Sequence, residues 1–141
     1  MSYLHPADPI IGRYFYQIKH NNMSTKETIE NYFQKLNEKQ GWEDSIADEM
    51  TFVGATTKTD GKEAYVQTTL GFLKVVTGVA IRNLIVEGKN TAVEAYYDIV
   101  SPSGETSVCK VAEFLSVSGG KIVSSTIFFD TAAFREFMAK G

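Results

Sequence analysis

The stretch Glu113–Phe137 reads EFLSVSGGKIVSSTIFFDTAAFREF and compresses a whole supersecondary unit into consecutive residues. A β-prone run reaches Ser118, Gly119-Gly120 supplies a tight turn, and a second β-prone run from Lys121 ends at Phe128-Phe129. Asp130 or Thr131 then caps a short helix expected over 131–139, since a side-chain oxygen there accepts from the free N–H groups of the first turn. A hairpin that feeds straight into a closing helix implies a sheet backed by helices.

Working backward, further β segments are expected over 78–87, 91–100 and 105–118. They are joined by Gly88-Lys89-Asn90 and Ser101-Pro102-Ser103-Gly104. These connections are short and rich in turn residues, which predicts consecutive antiparallel hairpins. Upstream, Ile29, Tyr32, Phe33 and Leu36 recur at the spacing of an amphipathic helix over 25–39. Ser24 or Thr25 can cap it, Glu27 stands where a capping box needs an acceptor, and Gly41 ends it. A short helix over 42–48, a strand over 50–53, a threonine-rich loop and a third helix opened by Asp60-Gly61 complete the chain. Helices followed by a meander give an α+β class: a strongly bent antiparallel sheet packed against three helices, with a short C-terminal helix. Such a sheet leaves a pocket.

The 141 residues suffice for one domain, and 43% hydrophobic with 22% charged residues is an ordinary globular balance. A net charge of −3 with scattered lysines argues against a nucleic-acid partner. No apolar run is long enough to span a bilayer, and no secretory signal opens the chain, so a cytoplasmic location without a membrane partner is expected. Cys109 is the only cysteine, and both histidines, His5 and His20, precede Met23. Neither a metal site nor a cofactor is expected. Residues 1–22 carry Pro6, Pro9 and an aromatic run; they read as an extension on a domain covering 23–141. That extension either adds an edge strand or reflects a start assigned too far upstream.

Strand alternation places candidate site residues. Tyr97 shares a face with Val93, Ala95 and Ile99 and should point at the core or pocket; Glu94, Tyr96 and Asp98 face solvent or a partner subunit. The next strand is ambiguous. Val108, Lys110, Ala112 and Phe114 form one face, Cys109, Val111, Glu113 and Leu115 the other, and each face has one charge among apolar residues. Lys110 or Glu113, if turned inward, would be a perturbed titratable group in a cleft, although a charge reaching solvent is the simpler reading of each. Trp42 anchors its short helix or stacks on a ligand. Arg82 and Asp98, on neighbouring strands, are expected to form a cross-strand ion pair.

The order and lengths of these elements resemble the NTF2-like superfamily, which includes SnoaL-like cyclases and ketosteroid isomerases. The markers are Tyr32, Ala47-Asp48 before Thr51-Phe52, Gly61, Gly120-Lys121-Ile122-Val123, and Phe128-Phe129-Asp130, and the resemblance covers about residues 24–137. It implies a cone-shaped fold with a pocket at its open end, and a homodimer formed through the sheet face. Tyr32 stands where the isomerases carry a catalytic tyrosine. Their general base would fall on Gly54 and their second carboxylic acid on Ala112, which argues against steroid isomerase activity. A pocket histidine and the Asp-Arg-Asp pattern of the epoxide hydrolases are also missing after residue 22.

Two functions therefore compete. One is a pocket around Tyr32, Phe52, Tyr65, Tyr97, Phe114 and Phe128 that binds a small apolar molecule, with or without a cofactor-independent isomerase, lyase or cyclase activity. The other is a non-catalytic homodimeric interaction or sensing module.

Overall fold

The computed structural model describes residues 23–141. Helix α1 (Thr25–Glu38) starts on a complete capping box: Ser24 Oγ accepts from the Glu27 N–H at 3.1 Å, and Glu27 Oε1 accepts from the Ser24 N–H at 3.4 Å. Its buried residues Thr28, Ile29, Tyr32, Phe33 and Leu36 follow the expected helical stripe. The helix stops where Lys39 takes a left-handed conformation (φ 58°) and Gly41 follows at φ 79°. The single turn Trp42–Ser45 is a 3₁₀ segment, not the longer helix expected through Asp48. Ile46 is already in a strand, because it pairs with Ile122 across the sheet, and long-range pairing overrides a local helical preference.

Strand β1 (Ile46–Val53) is followed by the short β2 (Lys58–Asp60), helix α2 (Lys62–Leu73), and β3 (Val76–Glu87). Then come β4 (Asn90–Val100), β5 (Thr106–Ser118), β6 (Lys121–Phe129) and helix α3 (Thr131–Met138). The sheet order is β2-β1-β6-β5-β4-β3. The meander β3 to β6 and the β1–β2 pair are antiparallel, as the hairpin turns require. The β1–β6 pair is parallel. No turn signal announces it, since the two strands are separated by most of the chain.

Extra residues curl the sheet. Register shifts interrupt β3 between Val76 and Gly78 and between Ile81 and Asn83, and a third lies where β5 meets β6 near Ser116–Val117. Each inserts an unpaired residue, bends its strand and increases its twist. Asn37 of α1 anchors the strand just past the first interruption: its Oδ1 accepts from the Val79 N–H at 2.8 Å, tying the helix to β3. The core lies between the concave face and helices α1 and α2, around Ile29, Trp42, Ile46, Met50, Leu115 and Ile122.

Arg82 sits at the second irregularity of β3. Its guanidinium carbon lies 4.8 Å from the centroid of the Tyr96 ring. The expected pairing with Asp98 does not form, because Asp98 registers with Gly78, well down the strand from Arg82. The proposed N-terminal extension, with His5 and His20, lies outside the described residues.

Two substitutions test this account by urea unfolding. Trp42→Ala, at 1% exposure, is expected to cost about 3–5 kcal/mol through the cavity it leaves. Ser24→Ala should cost about 1 kcal/mol through the lost cap. A Trp42→Ala loss below about 1 kcal/mol would mean that the 3₁₀ turn is not packed as described.

Candidate functional site

Between α1, α2 and the concave sheet face lies a cavity of about 180 Å³. Tyr32 and Leu36 reach it from α1, Phe52 from β1, and Tyr65, Thr69 and Phe72 from α2. The sheet adds Tyr97 from β4, Val111 and Glu113 from β5, and Ser125, Ile127 and Phe129 from β6. Phe134 of α3 closes one side, and the loop Gly54–Thr57 forms the rim. Seven of the lining residues are aromatic, and two clusters of polar groups stand out among the rest.

The first cluster is Glu113 with Tyr97. The tyrosine hydroxyl donates a short hydrogen bond to Glu113 Oε1 from the neighbouring strand. Glu113 is 5% exposed. Burial pushes its carboxyl from the usual 4.5 up to about 7, against the opposing effect of the Tyr97 hydrogen bond. It is therefore a carboxyl that both holds and releases a proton near neutrality. Tyr97 is itself raised well above 10, by burial first and by the nearby Glu113 second.

The second cluster pairs Tyr32 with Tyr65, their hydroxyl oxygens 2.6 Å apart. Burial is the main reason that Tyr65 is raised to about 12 and Tyr32 well above its ordinary value, so both remain protonated. Two hydroxyl protons share one contact, so the second can go to another acceptor, either the Thr69 hydroxyl beside Tyr65 or a bound molecule. Ser125 Oγ, in a side chain 2% exposed, has no hydrogen-bond partner among the described residues. A buried hydroxyl without a partner is costly unless something else satisfies it.

Of the residues expected at the site, Tyr32, Phe52, Tyr65, Tyr97 and Glu113 meet around this cavity. The others do not. Trp42 is buried in the core and does not line the cavity. Lys110, Ala112, Phe114 and Phe128 all stand on the opposite, convex face, with Phe114 52% and Phe128 60% exposed. For β5 the reason is register: Val100 faces Thr106 across the turn, which sets Tyr97 opposite Cys109 and Val93 opposite Glu113. Residues directly opposite in a sheet share a face, so Glu113 follows Val93 inward. For β6 the reason is the extra residue Val123. Ile122 pairs with Val117 but Ser124 pairs with Ser116, so simple alternation fails and Phe129, not Phe128, points inward.

The same register revises the acid sought at Ala112, which is exposed; the inward acid is its neighbour Glu113. Gly54 does line the cavity, but a Cβ there would stand 3.0 Å from the Phe52 ring and 3.3 Å from the Thr57 carbonyl oxygen. A side chain there would need the Phe52 ring to shift, and as glycine the position offers no carboxylate. Sequence reasoning missed Phe72, Ser125, Ile127, Phe129 and Phe134. Counting the 101–105 turn would have placed β5; nothing local marks Val123 as the extra residue.

The raised carboxyl has a stability consequence. An acid whose folded pKa lies above its unfolded value contributes stability that is full below about 4.5 and is lost as the pH rises through about 7. Relative to Glu113→Gln, which keeps the acceptor for Tyr97, the native protein should lose on the order of 3 kcal/mol across that window. Urea unfolding of both proteins at pH 4.5, 6 and 8 measures the difference. Parallel pH profiles would show that Glu113 titrates normally.

No family model matches the chain, and no curated protein matches it in sequence. Solved structures do match its shape. A protein from Jannaschia sp. CCS1, described as a SnoaL-like polyketide cyclase, superposes with a TM-score of 0.73 at 18% identity, covering 83% of this chain and 92% of that one. TerC, co-crystallised with polyporic acid, gives 0.73 at 18% identity over 82% of this chain and 98% of its own. A ketosteroid-isomerase-like protein from Catenulispora acidiphila, in complex with trimethylamine, gives 0.67 at 15% identity, over 80% and 92%. With its curled six-stranded mixed sheet and covering helices, the chain has the NTF2-like fold of these SnoaL-like and ketosteroid-isomerase-like structures.

Proposed function

We propose that the protein binds a small, largely apolar molecule in the aromatic cavity and moves a proton between it and Glu113, acting as a cofactor-independent isomerase, lyase or cyclase. The observation that carries this reading is a single buried carboxyl, raised to about 7, facing a void lined otherwise by aromatic, aliphatic and hydroxyl-bearing side chains. Groups tuned toward the operating pH are the effective general acids and bases. The free proton of the Tyr32–Tyr65 pair would polarise an oxygen of the bound molecule, and Tyr97 would orient the Glu113 carboxyl. Among the neighbours of the same fold, TerC and the Catenulispora acidiphila protein were crystallised with small molecules, which is consistent with a ligand in a cavity of this kind. Mass spectrometry of solvent extracts of the purified protein is the direct test. An apolar molecule at stoichiometric amount is expected. Returned to the protein in D₂O, it should gain deuterium at one carbon, about 10²–10⁴-fold more slowly with Glu113→Gln. Binding without deuterium uptake would leave a carrier and remove the catalysis.

A second reading is favoured by the convex face. Ile85, Ala92, Phe114 and Thr126 form one cross-strand row, and Ala112 and Phe128 lie in the next. Phe114 and Phe128 meet edge to face with ring centroids 6.2 Å apart. An exposed apolar patch of this kind marks an interaction surface, and a second copy of the chain is the partner we propose for it. Sedimentation should show a dimer that Phe128→Arg converts to monomer with the cavity unchanged. A native protein that stays monomeric at high concentration rules this interface out.

A further inference from the structure

We propose that the molecule taken by the cavity is a cation, a small amine or quaternary ammonium compound whose charged end lies against Glu113 among the aromatic rings. This rests on the reading of the cavity as a small-molecule site and narrows its chemistry. The first ground is the distribution of charge. Among the described residues that line the cavity, Glu113 is the only one with a formal charge to offer, and no lysine or arginine joins it. A carboxylate or phosphate ligand would find no counter-charge here, and its desolvation would go unrepaid. A cation would find one, and would in turn relieve the burial of the carboxylate.

The second ground is the aromatic lining. Phe52 and Tyr65 lie 5.3 Å apart at 58°, and Phe72 and Tyr97 lie 5.4 Å apart at 45°, so neither pair is a flat stack. All four rings line the void, and aromatic rings are the side chains that attract an ammonium group placed over their faces. The protein's own side chains make such contacts on the convex face, where Arg82 and Lys110 both lie over Tyr96. Among the described residues, no lysine or arginine lines the cavity on the concave face. The partnerless Ser125 hydroxyl, diagonal to Glu113 through the Glu113–Ile127 pairing, supplies a lone pair or a proton to an N–H or O–H of the ligand.

The pH dependence follows from what faces Glu113. Tyr32 of α1, Tyr65 of α2 and Tyr97 of β4 are all raised above 10, and Cys109 on β5 is raised by burial and by Asp130. Glu113 is thus the group that changes charge near neutrality. A cation binds its carboxylate form, so affinity should rise as the pH rises through about 7 and level off above it.

Choline and its uncharged carbon isostere, 3,3-dimethylbutan-1-ol, separate charge from shape. NMR titrations of the full chain in phosphate buffer free of amines would follow the ring signals of Phe72 and Tyr97. Choline is expected to bind at least about tenfold more tightly than the isostere at pH 8, and about tenfold more weakly at pH 6 than at pH 8. The isostere should show no pH dependence, and Glu113→Gln should erase the advantage of choline. Should that variant fail to fold, the pH profile of the native protein decides. Equal or tighter binding of the isostere overturns the charge preference and leaves the cavity reading standing. Choline binding with a flat pH profile also overturns it. If neither compound shifts the cavity rings, the inference falls together with the reading beneath it.

Discussion

A carboxyl enclosed by aromatic rings is stable only if something holds its polar atoms, and here Tyr97 of the adjacent strand does so. The arrangement depends on the curl of the sheet. A flat sheet would bring α1 and α2 down onto the inner residues of β4 and β5 and leave no room between them. The interruptions in β3 and at the β5–β6 boundary bend the strands instead, and a void with tyrosines on opposite walls results. Burial then raises the acid, because a medium with little water disfavours the charged form more than one hydrogen bond from Tyr97 favours it.

The two faces of β5 illustrate how one strand serves two purposes. Its inner residues Cys109, Val111, Glu113 and Leu115 are buried, and its outer residues Val108, Lys110, Ala112 and Phe114 are exposed. The outer row is nonetheless as apolar as the inner one. A solvent-facing antiparallel strand ordinarily alternates apolar with polar residues. The departure from that pattern in β5, continued by Phe128 on β6, is a property of the convex face and is independent of the cavity chemistry.

The cavity differs from a steroid isomerase site in what it lacks as well as in what it holds. Gly54 stands at the rim and supplies no base, packed closely against the Phe52 ring and the Thr57 carbonyl. Glu113 and Tyr32 line the cavity, joined by Tyr65 and Tyr97. A site with hydrogen-bond donors and one tunable carboxyl, and without a separate base, suits chemistry or binding in which a single group both accepts and returns a proton.

Much of this protein was decided locally and was legible from residues alone. The helical stripe Ile29–Leu36, the Ser24–Glu27 capping box, the Gly119-Gly120 turn and the inward face of β4 each depend on neighbours a few positions away. Such short-range patterns survive in the sequence because turn chemistry and periodicity are properties of short segments. The parallel pairing of β1 with β6, the early start of β1 at Ile46 and the inward turn of Phe129 were decided only by the folded chain, whereas the inward turn of Glu113 follows from the length of the 101–105 turn. Strand faces have a period of two, so one extra residue at Val123, or an uncounted turn, reverses every side chain beyond it. Composition and alternation therefore name part of the site, and pairing across the sheet decides which of those residues meet and brings in Phe72, Ser125, Ile127, Phe129 and Phe134.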